Sequence, residues 1–360
     1  VVAADRAGAL DVAVRQGAAG GRRDRAQGCL REDVAVLEER RVLITVRVHL
    51  HGSAAGPGLE EERQDQREDQ VEQAAADEET LQAYLQTHFY NYEDFENPPA
   101  GFDYVVRFDT IAGENADKTP LIESNLLYPK TVTSNEVEYK MYILKVREGV
   151  GRQLTFADSA FVAYQGVLTD RSIFETNTAV PSWFDLPGYL TRSSQGRLVR
   201  NGGGFVTGFT QGLTEFKEGS TPGFTVNPDN TVTWKEDYGV GAIFMPSGLG
   251  YYASGSGSGS IPPYSPIIFS IKLLRAVEAD HDNDGIPSWM EDLDEDGDLY
   301  NDDTDNDGFT NHSDPDDDGD GTPTRLEIII NEDGTIEMPD NNGDGTPNYL
   351  DPDYFEEVSS

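Results

Sequence analysis

The sequence predicts an α+β domain with an antiparallel sheet, followed by a long acidic tail. Within residues 138–277, segments rich in β-branched and aromatic residues recur between clusters of turn residues, and only residues 208–216 have the pattern of a short helix. A parallel sheet would need a helix between successive strands, so this composition favours antiparallel pairing. The predicted strands are residues 139–147, 158–168, 172–176, 205–207, 241–246 and 267–274.

The last of these strands carries Phe269, Ile271 and Leu273 on one face, as expected for a strand that packs against a core. Gly, Ser, Asn and Pro concentrate between the strands, which predicts loops there. The predicted loops are residues 190–204, 221–240 and 254–260.

The N-terminal part of the chain differs in composition from the rest. Residues 1–75 hold eleven Arg, no Lys and no aromatic residue. Residues 60–79 are a run of Glu, Gln, Asp and Arg, which is typical of a solvated helix or of disorder. So few large apolar residues predict a disordered arm, or else residues from a misassigned translation start. Cys29 ends an Ala-Gln-Gly-Cys run that resembles a lipoprotein cleavage site, but Arg-rich residues precede it, so no signal peptide is visible.

Residues 76–137 are expected to form a short helix and then an irregular extension. Apolar residues at helical spacing begin at Leu81 and form one stripe, with acidic residues before them at the helix start. His88 lies on that stripe, so we interpret it as a packed side chain rather than a ligand.

The overall composition excludes several classes of protein. The net charge is −39 and the pI is about 4.2, which argues against nucleic acid or an anionic membrane surface as a partner. No apolar run reaches the roughly 18 residues of a transmembrane helix. Cys29 is the single cysteine of the chain and therefore cannot form an internal disulfide.

Four separated blocks within residues 138–277 occur in the order of a known family. The blocks are Val162-Ala163-Tyr164 with Gly166 and Ile173-Phe174-Glu175; Phe205-Val206 with Gly208-Phe209 and Gly212; residues 245–251; and residues 261–274. Together they resemble the FKBP-type peptidyl-prolyl cis–trans isomerases. The resemblance implies a curved antiparallel sheet around one short helix, with an apolar pocket between them.

The resemblance also implies which residues form the pocket. Tyr251 would supply a hydroxyl that bonds a substrate carbonyl, and Phe209 stands where the family most often has Trp. Glu175 stands where the family usually has Asp, so its carboxylate is one methylene longer. The implied site residues are Tyr164, Phe174, Glu175, Phe205, Val206, Phe209, Tyr251, Ile261 and Phe269.

Core packing is the alternative role for any buried aromatic or aliphatic side chain. We expect that role for Phe161 and Ile271, and we leave Trp183 and Phe184 open between pocket and core.

The chemistry of proline isomerisation explains these residue types. Rotation about a peptide bond crosses a barrier of about 18–20 kcal/mol, and an X-Pro bond takes roughly tens to hundreds of seconds to isomerise. A dry pocket that removes water from the amide and holds its twisted form lowers that barrier without a nucleophile or a general base. No cofactor is expected for the isomerase reaction.

The tail, residues 278–360, holds 29 acidic residues against one basic residue, Arg325, and so carries 28 of the 39 net negative charges. It repeats the pattern Asp-x-Asp/Asn-x-Asp-Gly five times. A calcium loop needs oxygen ligands at positions 1, 3 and 5, Gly at 6 and an acid at 12. The predicted ligand sets are Asp280, Asp282, Asp284 and Glu291; Asp292, Asp294, Asp296 and Asp303; Asp303, Asp305, Asp307 and Asp314; Asp316, Asp318, Asp320 and Glu327; and Asp340, Asn342, Asp344 and Asp351.

Solvated acidic runs lack such fixed spacing, so we expect calcium ions in a tail with little regular secondary structure. The loops lack flanking amphipathic helices and resemble the thrombospondin type 3 calcium repeats of extracellular proteins. Carboxylates at this density repel each other until metal binds. Weak calcium sites suit compartments outside the cytosol, so we expect a periplasmic or cell-surface protein, with a lipoprotein as one form.

The sequence therefore predicts an exported FKBP-type isomerase that acts on X-Pro bonds of polypeptide clients, with calcium in its tail. The alternative is a non-catalytic FKBP-fold chaperone or surface binding module in which the tail is a calcium-stiffened spacer.

Overall fold

The structure is a computed structural model that describes residues 57–256 and 258–354. The expectations for residues 1–56 lie outside this part of the chain. Its centre is a sheet of six strands in the order β3-β4-β11-β12-β5-β6, in which every neighbouring pair is antiparallel. These strands are β3 (Leu127–Ser134), β4 (Val137–Arg147), β5 (Ser159–Leu168), β6 (Ile173–Asp185), β11 (Gly239–Met245) and β12 (Ile267–Val277).

Short strands lie outside this sheet in two-stranded pairs: β1 with β2, β7 with β8, β9 with β10, and β13 with β14. Their bounds are β1 (His88–Tyr90), β2 (Phe108–Thr110), β7 (Tyr189–Arg192), β8 (Leu198–Asn201), β9 (Phe224–Val226), β10 (Val232–Trp234), β13 (Ile329–Ile330) and β14 (Ile336–Glu337). The helices are α1 (Pro57–Thr87), α2 (Tyr92–Glu96), α3 (Thr207–Leu213) and α4 (Thr324–Glu327).

The sheet is covered on both faces, which explains why the central strand β11 is buried along its whole length. Along β11, Ile243 and Met245 join the core on the side of α3, whereas Val240, Ala242 and Phe244 join the core on the side of α1. Successive side chains of a strand point to opposite faces, so this alternation follows directly from the pleat. The predicted antiparallel sheet and the helix near residue 208 are confirmed. The expected face of β12 is confirmed as well, because Phe269, Ile271 and Leu273 all belong to the core on the α3 side.

Helix α1 is longer than the predicted N-terminal helix, and the expected disorder is wrong for residues 57–75. That segment is rich in Glu and Gln, which are good helix formers. It continues a helix whose C-terminal half buries Leu81 and Leu85. Because packing of that half already stabilises the first helical turns, extending the helix avoids the free-energy cost of nucleation. The helix ends at Thr87, and the half-buried ring of His88 stacks on Tyr84 at 3.8 Å.

The expected boundary between residues 137 and 138 is also wrong, because it separates two paired strands. Strand β3 pairs with β4 through a two-residue turn at Asn135 and Glu136. Both turn residues have positive φ, 51° and 62°, as a tight hairpin requires. An Asn-Glu pair is a weaker turn signal than Asn-Gly, so the hairpin was not visible in the sequence.

Three further predictions of secondary structure need correction. Residues 205–207 are not a strand, because Thr207 already begins α3. Strand β6 extends to Asp185 instead of ending at residue 176, because it follows the whole length of β5 through two register shifts. The predicted loops 190–204 and 221–240 contain the β7–β8 and β9–β10 hairpins.

The tail has little regular secondary structure among its described residues, in agreement with the expectation. It folds around a small apolar core of Ile286, Ile328 and Tyr349. Across residues 57–256 and 258–354, no helix is both long and apolar enough to cross a membrane.

Candidate functional site

A cavity of about 290 Å³ opens between α3 and the face of the sheet that α3 covers. Strands β5, β6 and β12 supply one wall, α3 supplies the floor, and the segment after Met245 supplies the opposite side. Most of the lining is aromatic, and none of it is Cys, His, Ser or Lys. The lining residues are Tyr164, Glu175, Phe184, Gly204, Phe205, Val206, Phe209, Tyr251 and Phe269.

Seven of the nine predicted site residues line this cavity. The other two stand just behind it. Phe174 packs edge-on against Phe269, with ring centroids 5.6 Å apart, and Ile261 is buried in the core on the α3 side. The catalytic roles assigned to these residues remain predictions.

Phe184 and Gly204 line the cavity but were not predicted as site residues. They flank the β7–β8 hairpin, one before it and one after it. Because the pairing of β5 with β6 shifts register, the sequence alone does not show on which face of the sheet the side chains near the end of β6 lie. The neighbouring Trp183, also left open, is 53% exposed and lies against Phe161.

The floor of the cavity is the ring of Phe209, against which three aromatic rings pack edge-on. Ring centroids of Phe269, Tyr164 and Phe184 lie 5.0, 5.9 and 5.9 Å from it. Edge-to-face contacts at these distances fix ring positions, so the cavity keeps its shape without a ligand.

The cavity has few polar groups, and only some of them already have a hydrogen-bond partner. The Tyr164 hydroxyl donates to Glu175 Oε1 at 2.6 Å. No hydrogen bond of the Tyr251 hydroxyl or of the Val206 N–H is found within the described residues. Two donors are therefore free to meet an acceptor in the cavity.

The two tyrosines stay protonated at neutral pH. Burial, and then the hydrogen bond from the hydroxyl to Glu175, raise the pKa of Tyr164. Burial, and then the charge of Glu175, raise the pKa of Tyr251. Both side chains therefore act as hydroxyl donors rather than as bases.

Glycine is required at position 166 of β5. A Cβ there would collide with the ring of Phe174 and press on Phe269. The missing side chain lets Phe174 lie over the strand and support the cavity wall from behind.

Asp77 of α1 holds the segment that carries Tyr251. It is 1% exposed, and its Oδ2 accepts hydrogen bonds from the backbone N–H and the hydroxyl of Ser247, both at 2.6 Å. Gln73 donates to the other oxygen at 2.7 Å. Burial raises the pKa of Asp77 in spite of these bonds. No local pattern indicates a contact across this distance in sequence, so Asp77 was missed.

Among the described residues of the tail, acidic side chains gather in five groups, and within each group the ligand oxygens lie within 4.8 Å of one another. Two members, Asp302 and Asp317, were not predicted as ligands. The groups are Asp280, Asp282 and Asp284; Asp284, Glu291 and Asp317; Asp292, Asp294 and Asp302; Asp305, Asp307 and Asp314; and Asp316, Asp318 and Asp320. The remaining predicted ligands fall outside these groups: Asp296, Asp303, Glu327, Asp340, Asn342, Asp344 and Asp351.

Buried carboxylates in these groups fit a hard divalent cation. Burial, and then neighbouring carboxylates, raise the pKa of Asp282 to about 8 and that of Asp317 to about 9. Burial likewise raises the pKa of Glu291. Several of their oxygens are buried with no hydrogen-bond partner. Oxygen ligands of this kind suit calcium, whose charge would satisfy them.

The tail also holds the β7–β8 hairpin beside the cavity. The Tyr300 hydroxyl donates to Pro187 O at 2.9 Å, and the Leu190 N–H donates to Ser313 Oγ at 2.9 Å. The Arg200 guanidinium lies 4.0 Å from the centre of the Tyr300 ring.

Histidines add two more contacts to this interface. His312 Nε2 lies 3.2 Å from Gly188 O, and His281 Nε2 lies 3.0 Å from Asp185 Oδ1. Burial, and then neighbouring His281, lower the pKa of His312 to about 4. His312 is therefore neutral at physiological pH and donates one ring N–H.

Two curated proteins named peptidyl-prolyl cis-trans isomerase Mip are similar to this chain. The protein of Chlamydia muridarum is 28% identical over 170 residues, and that of Chlamydia trachomatis is 26% identical over 170 residues. Each match covers 47% of this chain and 49% of the relative, so the chain spans about half the length of the relatives it matches. These matches show homology to FKBP-type peptidyl-prolyl isomerases.

Solved structures with a similar arrangement include a peptidyl-prolyl cis-trans isomerase from Pseudomonas syringae and FkpA from Escherichia coli. The first is 20% identical, covers 42% of this chain and 81% of that chain, and has a TM-score of 0.28. The second is 21% identical, covers 43% and 53%, and has a TM-score of 0.29.

The tail is similar to a different family. The family model described as BamM C-terminal matches residues 281–338. The resemblance to thrombospondin type 3 repeats and the binding of calcium stay predictions.

Proposed function

We propose that this protein is a peptidyl-prolyl cis–trans isomerase that acts on X-Pro bonds of polypeptide clients. The observation that carries the proposal is the aromatic cavity in which Tyr251 and Val206 keep donors without a partner in the described chain. The homology to proteins named as isomerases supports the same activity.

The cavity suits an amide that must lose its planarity. Resonance makes the planar amide strongly dipolar, and twisting the C–N bond removes that resonance. Walls formed by Phe209, Phe269 and Phe184 replace water around the amide, which disfavours the planar form more than the twisted form. No proton transfer or covalent step is needed.

Two donors would orient the substrate. The Tyr251 hydroxyl would bond one carbonyl at the rim, and the Val206 N–H, at the start of α3, would bond a second. Glu175 accepts from Tyr164, which leaves its other oxygen for a substrate N–H. Donors fixed before the substrate arrives lose little entropy on binding, which favours the twisted form that they fit.

The tail would bind calcium and the protein would work outside the cytosol. The support is the five groups of ligand oxygens, the buried oxygens without partners and the repeated loop spacing. Sites of this kind fill at the calcium concentrations of extracytosolic compartments.

The test is the cis–trans exchange rate of an X-Pro peptide, measured by NMR exchange spectroscopy with the full chain. Tyr251→Phe removes one hydrogen bond, worth about 1.4 kcal/mol to a transition state that uses it, and should lower the catalysed rate about tenfold. Tyr264→Phe is the matched control, because Tyr264 is exposed and lies outside the cavity.

A folded protein that gives no rate gain would reject catalysis. If that protein still bound an unfolded client, and Phe209→Leu weakened the binding, the non-catalytic binding module would replace the isomerase as the function.

A further inference from the structure

A buried cluster of three carboxylates joins two loops of the tail that are distant in sequence. Asp284 and Glu291 belong to the first loop, and Asp317 belongs to the fourth. The three side chains are 1%, 1% and 2% exposed. Their ligand oxygens lie within 4.8 Å of one another. The repeat spacing does not include Asp317 as a ligand.

Each member of this cluster presents an oxygen that nothing in the described chain satisfies. Asp284 Oδ1 accepts from the Ile286 N–H at 2.6 Å, and Asp317 Oδ2 accepts from the Thr324 hydroxyl at 3.2 Å. The second oxygen of each aspartate and both oxygens of Glu291 are buried without a hydrogen-bond partner. Buried unpartnered anionic oxygens are costly, and a bound cation is the group that would satisfy all of them at once.

A second cluster shares Asp284 with the first. Asp280 Oδ2 accepts from the Gly285 N–H, and Asp282 Oδ1 accepts from the Asp284 N–H, both at 3.2 Å. Their other oxygens are again buried and unpartnered. The ligand oxygens of Asp280, Asp282 and Asp284 also lie within 4.8 Å of one another.

The dimensions and the charge both suit two calcium ions. Calcium–oxygen distances of about 2.3–2.6 Å place opposite ligands about 4.6–5.2 Å apart, and oxygens that all lie within 4.8 Å of one another meet that span. The five side chains carry five negative charges. Two divalent ions and the guanidinium of Arg325, which packs against Gly285, balance them.

We propose that Asp280, Asp282, Asp284, Glu291 and Asp317 form a paired calcium site. Asp284 bridges the two ions, and Asp317 is the ligand that fastens the fourth loop to the first. This inference rests on the calcium-binding part of the proposed function, and it adds a ligand and a shared carboxylate that the loop repeat does not contain.

The test counts the calcium ions bound to the full chain by native mass spectrometry, in the presence of excess magnesium. Asp280→Asn and Asp317→Asn should each lose one ion relative to the wild type, whereas Asp284→Asn should lose two. Glu332→Gln is the control, because Glu332 is an exposed tail residue outside every ligand group and should lose none.

Thermal unfolding in calcium-depleted buffer separates a ligand from a structural residue. Asp317→Asn replaces a buried carboxyl group with a neutral amide of similar shape, so it should leave the calcium-free protein as stable as the wild type or more stable, and should reduce the rise in Tm that calcium gives. A residue with a merely structural role would lower the Tm in both conditions.

Three outcomes would overturn the inference. The Asp317→Asn variant could keep every calcium ion, or it could lower the Tm equally with and without calcium. The Asp284→Asn variant could lose no more calcium ions than the Asp280→Asn variant. A wild-type chain that binds no calcium would instead reject the calcium part of the proposed function.

Discussion

Calcium removal should damage the aromatic cavity as well as the tail, because the tail holds the hairpin that connects two parts of the cavity wall. The β7–β8 hairpin begins after Phe184 and ends before Phe205, and both of these side chains line the cavity. The perturbation is depletion of calcium with the chelator BAPTA. We expect the metal-free tail to loosen because its carboxylates repel each other.

The size of the effect follows from the contacts that would be lost. Four hydrogen bonds join the tail to the segment from Asp185 to Leu190, at 2.9–3.2 Å. At about 0.5–1.5 kcal/mol each they contribute roughly 2–6 kcal/mol. The lower figure already shifts the balance between attached and detached hairpin about 30-fold. A detached two-stranded hairpin is at best marginally stable, so kcat/KM on an X-Pro peptide should fall at least fivefold.

The assay compares kcat/KM with and without BAPTA, with circular dichroism to follow the tail. Tyr300→Phe in saturating calcium removes the hydroxyl that donates to Pro187 O but leaves the other three hydrogen bonds between the tail and this segment, so it should give a smaller loss. Tyr354→Phe is the matched control, since the Tyr354 hydroxyl bonds Asn341 within the tail and not the hairpin. Activity that stays within twofold while the tail unfolds would refute the reasoning.

Two further predictions concern stability. Asp77→Ala leaves the two Ser247 donors without their acceptor and should lower the free energy of unfolding by roughly 2–4 kcal/mol in urea titration. The control is Asp69→Ala, on the exposed part of α1, which should change the free energy of unfolding by less than about 0.5 kcal/mol. Equal losses in the two variants would contradict the role assigned to Asp77. The second concerns pH. Burial, and then the charges of Asp284 and Asp282, raise the pKa of Asp317 to about 9, above its value of about 3.9 in an unfolded chain. The contribution of Asp317 to stability is therefore full below about pH 3.9, falls progressively as the pH rises above that value, and is lost once the pH passes about 9. Calcium-free protein should therefore melt at a lower temperature at pH 8 than at pH 5. Saturating calcium should reverse that order, because the carboxylate ligands bind calcium in their deprotonated form. The same order of melting temperatures with and without calcium would refute the prediction.

The sequence predicts those parts of the site that depend on local pattern. Tyr164 and Phe269 lie on strands whose alternation is readable, and Phe209 lies on the one helix that the main domain signals. Predicting these positions required only the two-residue periodicity of a strand and the order of the sequence blocks in a family. Phe184 was left open because the family alignment is uncertain there, and the structure shows that register shifts in the β5–β6 pairing precede it, so strand alternation does not place it either.

Contacts between distant segments could not be predicted. Asp77 reaches Ser247 from a helix, and Asp317 joins Glu291 across intervening loops, so neither has a spacing that a single sequence reveals. The β7–β8 hairpin was missed for the same reason. Its Gly- and Ser-rich sequence reads as a loop, and the contacts that accompany its strands come from the tail.

The shape of the cavity therefore depends on more than the sheet that carries most of its lining. Its rim at Tyr251 follows a segment that Asp77 of α1 holds, and its wall at Phe184 and Phe205 flanks a hairpin that the tail holds. Edge-to-face aromatic contacts fix the floor from within, but the donors and the outer wall depend on parts of the chain before and after the sheet. An apolar cavity in which a proline is to be twisted must stay dry and keep its donors in place. Support from both flanks meets that requirement. If the tail binds calcium as proposed, the metal would set the shape of the cavity through the charges of the tail.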